Sequence, residues 1–289
     1  MDDLDFSKPA KAPASAAPPA PAYLPAVARA FFESAGRAES VAAGTKLFTE
    51  NEKASRILLK RDKMYLLLQG EVALFARGKP VGSVKPGEIF GEMAAISESP
   101  RSASAVAKNA CEVISLDEKQ FHGALRQKPE FALMLLGIMI ARLRAMLARL
   151  SGIPSAPVAL KETRVFDKAM LSALAKGLGD SALVRYDRGK VIMVQGQTGA
   201  FMYVVLEGRV AISLRGATVE RVGPGGVFGE MALVDQSVRA ANAAADSDCV
   251  LLAINRTVFM NLVKSDPTFG VSLLAAMAER LRNLAAGVS

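Results

Sequence analysis

A repeat constrains this chain more than any other feature. MYLLLQGEVAL, from Met64 to Leu74, returns as MYVVLEGRVAI from Met202 to Ile212, and VKPGEIFGEMA at Val84–Ala94 returns as VGPGGVFGEMA at Val222–Ala232. Gly70 matches Gly208 and Arg101 matches Arg239, both at 208 − 70 = 239 − 101 = 138, and that offset from Met64 to Arg144 gives identity at about 30 of roughly 80 positions without a gap. Self-similarity of this kind marks a duplicated unit. Upstream the register slips: Phe48 matches Met193, an offset of 145, so the first copy carries 145 − 138 = 7 extra residues between about Thr49 and Lys63. The insert is basic, with Lys53, Arg56, Lys60, Arg61 and Lys63.

The 289 residues suit two domains of ordinary size. Residues 1–22, containing KPAKAPASAAPPAPA, are read as a disordered tail, because so few large apolar groups cannot offset the chain entropy. Residues 23–150 form the first domain, the Gly/Pro/Ser-rich stretch 151–157 a linker, and 158–289 the second domain. Each copy starts with a short helix. Short apolar runs punctuated by Gly and Pro follow: Met64–Leu68, Val72–Phe75 and Val81–Val84 in one copy, Met202–Leu206, Val210–Leu214 and Val219–Val222 in the other. That spacing predicts an antiparallel sandwich or barrel rather than βαβ units. Each copy closes with a helix, Pro129 to about Leu150 and Pro267 to about Ala286. Leu135, Ile138, Met139, Leu143 and Met146 line one face of the first, with Arg142 the single charge among them; Leu273, Met277, Leu281 and Leu284, with Arg280, repeat the stripe.

Composition narrows the chemistry. Two cysteines and one histidine argue against a zinc centre, a metal-dependent cupin or a His-dependent triad. Cys111 and Cys249 fall at equivalent points of separate domains and are read as buried thiols rather than a disulfide. His122, replaced by Met260 in the second copy, is read as a lone packing residue. No apolar run reaches the roughly 20 residues of a membrane span, and the acidic start MDDLDFSKPAKAP lacks a secretory core, so a cytoplasmic protein is expected. The net charge of +8 is spread along the chain, a general attraction to anions rather than a nucleic-acid patch.

The centre of each repeat carries the chemistry: FGEMAAISESPRSASA at Phe90–Ala105 and FGEMALVDQSVRAANA at Phe228–Ala243. Each has Gly-Glu, enough apolar sequence for a helical turn, and an Arg ten residues after the Gly. A Gly admits a ligand close to the backbone, a helix start offers N–H groups, and a guanidinium is a planar fork for phosphate oxygens. A Glu beside an anion makes sense if it accepts from sugar hydroxyls. Phosphate plus ribose in one compact pocket points to a nucleotide.

These segments resemble the phosphate-binding cassette of cyclic nucleotide-binding domains, as in regulatory subunits of cAMP-dependent protein kinase and the catabolite activator protein. The family pattern runs F-G-E-hydrophobic-A-L, a few variable residues, then P-R-small-A; Ala95 and Val238 are the departures. The resemblance implies a mainly β fold with flanking helices, two tandem jelly-roll (double-stranded β-helix) domains. It implies that Glu92 and Glu230 accept the ribose 2′-hydroxyl and that Arg101 and Arg239 hold the cyclic phosphate. Backbone N–H groups of Gly91, Met93, Ser102 and Ala103, and of Gly229, Met231, Ala240 and Ala241, would complete the pockets. Ser102 against Ala240 suggests that the pockets differ in base choice, and QGQTGAFMY at Gln195–Tyr203 keeps the second nearer to the family's form.

The expected protein is a receptor for cAMP or cGMP, without catalysis, cofactor or metal, that switches conformation and signals through an effector protein. A regulator of the catabolite activator type is the alternative. It is disfavoured because the chain ends at Ser289, directly after the closing helix, so no sequence-specific DNA binding is expected. A regulatory subunit of a kinase or other enzyme is the second alternative, although the tail shows no Arg-Arg-x-small pseudosubstrate. An exposed stripe invites burial, and the short Pro-rich linker limits folding back, so a homodimer through the closing helices is expected.

Overall fold

The computed structural model describes residues 23–52, 62–97, 100–150, 164–214, 216–235 and 238–287. The expected tail and linker lie outside them. The insert narrows: Asn51 donates to the Arg101 carbonyl as Gly196 does to that of Arg239, and Arg101 donates to Glu52 O as Arg239 does to Gln197 O. The two copies therefore stay in register to Glu52, and the extra residues fall between Glu52 and Lys63, almost all outside the described residues.

The first domain runs α1 (Pro25–Ala35), β1 (Arg37–Val41), β2 (Lys46–Phe48), β3 (Lys63–Gln69), β4 (Val72–Ala76), β5 (Lys79–Val84), β6 (Ile89–Phe90), α2 (Glu92–Ser97), β7 (Ser104–Ala107), β8 (Cys111–Asp117), α3 (Glu118–Gln127) and α4 (Glu130–Leu150). The second repeats it: α5 (Lys168–Leu178), a 3-10 turn at Asp180–Ala182, β9 (Leu183–Tyr186), β10 (Val191–Met193), β11 (Phe201–Glu207), β12 (Val210–Leu214), β13 (Ala217–Val222), β14 (Val227–Phe228), α6 (Glu230–Asp235), β15 (Asn242–Ala245), β16 (Cys249–Asn255), α7 (Arg256–Ser265) and α8 (Pro267–Gly287). All strand pairs are antiparallel. The sheets are ordered β1-β8-β3-β6 and β2-β7-β4-β5 in one domain, β14-β11-β16-β9 and β10-β15-β12-β13 in the other.

Inward residues alternate along the strands and fill each sandwich. Phe48, Leu67, Val72, Val84 and Val113 do so in the first, Met193, Val205, Val210, Val222 and Leu251 in the second. The predicted mainly β, tandem jelly-roll fold with flanking helices is the fold observed. Asp117 and Asn255, which end β8 and β16, cap the next helix by accepting from Gln120 N at 2.8 Å and Val258 N at 2.9 Å.

The third core belongs to both domains. Phe31, Phe121 and Phe131 from the first cluster with Phe259 and Phe269 from the second, and Phe31 stacks on Phe131 with ring centres 3.7 Å apart. Helix α4 packs along α8, and each also packs on the short helix after the other domain's Gly-Glu: α8 on α2, α4 on α6. A Cβ added at Gly270 would stand 3.7 Å from that of Ala132. These are equivalent positions, 270 − 132 = 138, and equivalent residues that face each other mark a local two-fold axis. The stripe residues Leu135, Met139, Leu143, Leu273, Met277 and Leu281 are buried. The described part of the stripe from which a homodimer was expected is covered within one chain, where α4 and α8 pack on each other.

Candidate functional site

Strand β6 ends at Phe90, and Gly91 turns the chain with φ +75° before α2 begins at Glu92. A Cβ there would carry the strain of a left-handed backbone and stand 2.9 Å from Arg101 Nη1. The ten-residue spacing now has a cause. The arginine folds back over its own glycine, and Arg101 Nη1 donates to Gly91 O at 2.6 Å. Its Nη2 donates to Lys63 O at 2.7 Å and lies 3.3 Å from Asp62 Oδ1. The guanidinium carbon sits 4.2 Å above the Phe48 ring. Arg101 is 4% exposed. Burial pulls its pKa below the usual arginine value, and Asp62 opposes that shift.

A cavity of roughly 460 Å³ opens beside this arginine. All six first-domain residues singled out in the sequence, Gly91, Glu92, Met93, Arg101, Ser102 and Ala103, line it. Leu74 and Val84 from the strands and Leu135, Ile138 and Met139 from α4 add an apolar wall. Tyr23, just ahead of α1, closes one side, with its hydroxyl donating to the Gly87 carbonyl. Burial, with Glu88 nearby, pushes the Tyr23 phenol up to about 12.

The second domain repeats the fold-back with different neighbours. Gly229 has φ +77°, and Arg239 Nη1 donates to its carbonyl at 2.9 Å. A Cβ at Gly199 would strike the Arg239 guanidinium at 2.2–2.4 Å, so the fork lies against bare backbone there. Tyr203 lies 6.0 Å below it. Burial lowers the Arg239 pKa also, against the pull of Tyr203 and Glu230. Met231, Ala240 and Ala241 are half-buried around the turn. Glu230 is buried and accepts from Arg280 Nη1 at 3.2 Å. Arg280 Nη2 donates to Glu220 at 3.1 Å and to the Val227 carbonyl at 3.1 Å.

A profile of the cyclic nucleotide-binding domain matches residues 38–128 and 183–266, more than half of the chain. The chain belongs to the cyclic nucleotide-binding domain family. The cyclic AMP receptor protein of Thermus thermophilus is 39% identical over 102 residues, 34% of this chain and 47% of that protein. The cAMP-dependent protein kinase regulatory subunit of Eremothecium gossypii is 25% identical over 219 residues, 75% of this chain and 43% of that protein. The chain thus spans less than half the length of these two curated relatives. The solved regulatory domain of Toxoplasma gondii PKA with cAMP is 22% identical, covering 92% of this chain and 96% of that one with a TM-score of 0.31.

Within that family frame, sequence reasoning missed Tyr23, Asp62 and Glu220, and saw Arg280 only as a charge in an apolar stripe. Arg142 and Arg280 are identical between copies. A charge kept at one point of an apolar face was the available signal. The paired thiols Cys111 and Cys249 are buried and free, each in its own sandwich. Among the described residues, no group of three or more His, Cys, Asp or Glu is placed to hold a metal, and no helix is long and apolar enough to cross a membrane.

Proposed function

We propose that the chain is a non-catalytic receptor for cAMP or cGMP, with the first-domain cavity as its ready binding site. The observation that carries this reading is the gathering of all six cassette residues around one cavity, with a buried guanidinium at the phosphate end. A volume near 460 Å³ lies in the range of small-molecule pockets, which run from about 300 to 1,000 Å³. Arg101 takes the cyclic phosphate, and Glu92 takes the 2′-hydroxyl. The apolar wall of Leu74, Val84, Leu135 and Met139 receives the base. Arg239 and Glu230 hold the same places in the second pocket. The nucleotide favours the arrangement in which α4 walls the first pocket and so alters the surface offered to an effector protein.

A regulatory-subunit role is favoured over a DNA-binding one, because the match to the kinase regulatory subunit runs through both halves of the chain. Millimolar cAMP or cGMP should raise the melting temperature, with about 2.7 kcal/mol of linkage at a hundredfold excess over Kd. The double variant Arg101→Ala, Arg239→Ala should lose that rise. A wild-type melting curve unmoved by either nucleotide would remove the proposal.

A further inference from the structure

Arg280 is buried and carries three interactions, two with carboxylates and one with the Val227 carbonyl. The partners sit on three separate elements: Glu220 on β13, Val227 on β14 and Glu230 at the start of α6. One side chain of α8 therefore ties the closing helix to two strands and the cassette of its own barrel. The first domain has no carboxylate at the position equivalent to Glu220. Glu220 pairs across the sheet with Ile212, and the equivalent pair is Gly82 with Leu74, at 220 − 82 = 212 − 74 = 138. Gly82 has no side chain to give.

The family's switch, on the reading above, closes this helix when nucleotide arrives. In the second domain the chain supplies its own closing force. Glu230, the carboxylate assigned to the ribose, already holds a cation from the lid. Arg280 Nε is buried without an acceptor, so the cluster carries the cost of one unsatisfied donor. Meanwhile α8 also packs on α2, the helix of the first cassette. A lid pinned to one barrel thus forms a wall against which the other cassette rests.

We infer that Glu220, Arg280 and Glu230 form an ionic latch that keeps the second domain closed without nucleotide. The inference rests on reading both cassettes as nucleotide sites, but its test does not need nucleotide. Hydrogen exchange of the full chain without ligand should show the amides of residues 269–281 protected. Glu220→Gln, which keeps the volume and removes the charge, and Glu220→Gly, which installs the first domain's residue, should each speed exchange there by about tenfold or more. Strand amides of β11 and β16 serve as the control for an intact barrel, and either variant alone suffices if the other fails to fold. Added cAMP or cGMP should slow exchange in α4 and leave wild-type α8 within about twofold of its free rate. Wild-type α8 exchanging as fast as the variants, or slowing by about tenfold only when nucleotide is added, would overturn the latch. Should neither nucleotide bind, the receptor reading fails while the ligand-free arm still decides whether the latch exists.

Discussion

The two pockets of this chain share a glycine turn, a glutamate and a folded-back arginine, yet the two arginines are held by different neighbours. In the first, the phosphate-end arginine is held closely: Arg101 donates to two carbonyls, pairs with the Asp62 carboxylate and lies over Phe48. In the second, the equivalent Arg239 donates to one carbonyl and rests on bare Gly199. There the ribose-end glutamate Glu230 is held by Arg280. Position 62 explains half of the difference, since its equivalent at 62 + 138 = 200 is Ala200. Position 220, a glutamate where the first domain has Gly82, gives Arg280 a second carboxylate. Duplication preserved the groups that meet a ligand and let the groups around them diverge, so two sites with one motif need not respond alike.

The largest expected break in this symmetry comes from Arg280→Ala. Removing the cation takes from the buried Glu220 and Glu230 the charge that Arg280 brings between them. Stripping one member from such a cluster costs about 3–5 kcal/mol. Urea unfolding monitored on the second barrel should show that loss, and a change below about 1 kcal/mol would mean that water reaches both carboxylates and the burial is illusory.

A smaller asymmetry should appear at the phosphate ends in the absence of ligand. Arg101→Ala removes two hydrogen bonds to carbonyls, an ion pair and a ring contact, whereas Arg239→Ala removes one hydrogen bond to a carbonyl and a more distant ring contact. At about 1 kcal/mol for each net hydrogen bond, the first variant should cost about 2 kcal/mol and the second about 1. Equal losses in denaturant would show that Asp62 and Lys63 contribute nothing to the folded first pocket. The same pair of variants, taken singly in nucleotide titrations, reports which pocket binds.

The sequence made the repeat, the jelly-roll pattern and the cassettes legible because each depends on local spacing. The glycine and the arginine ten residues apart fold onto each other in both copies although their neighbours differ, and alternating apolar runs point to a sandwich. What stayed hidden depends on distant pairings. Tyr23 meets Gly87 across 64 residues, and Arg280 reaches Glu220 across 60. A single Glu in a strand of mixed polarity looks like an exposed position until the helix that covers it is known. The pairing of α4 with α8 was hidden for another reason. Two apolar stripes specify burial but not whether the partner is the same chain, and the short linker pointed to a second copy.

Tyr23 gives the finest test of the contrast, because its wall of the first pocket is open to titration. Its hydroxyl donates to Gly87 O, an interaction that only the neutral phenol makes. The corresponding contact in the second domain is made by backbone, where Val165 and Phe166 N–H donate to Gly225 O at 2.9 and 3.0 Å, and Phe166 itself is buried against Phe269 with ring centres 5.2 Å apart. Burial pushes both Tyr23 and Tyr65 up to about 12. A phenol whose pKa is raised on folding stabilises the fold fully below its ordinary value near 10 and loses that contribution as pH climbs through about 12. Absorbance in the tyrosinate band at about pH 11 should therefore account for at most two of the four tyrosines, and Tyr23→Phe should remove one late-titrating phenol. Because the ring survives in Tyr23→Phe, nucleotide affinity should change by less than about threefold, while Tyr23→Ala opens the wall and weakens binding by about tenfold. If both substitutions weaken binding equally, the hydroxyl rather than the ring shapes the pocket, and the backbone contact at Gly225 becomes its true equivalent.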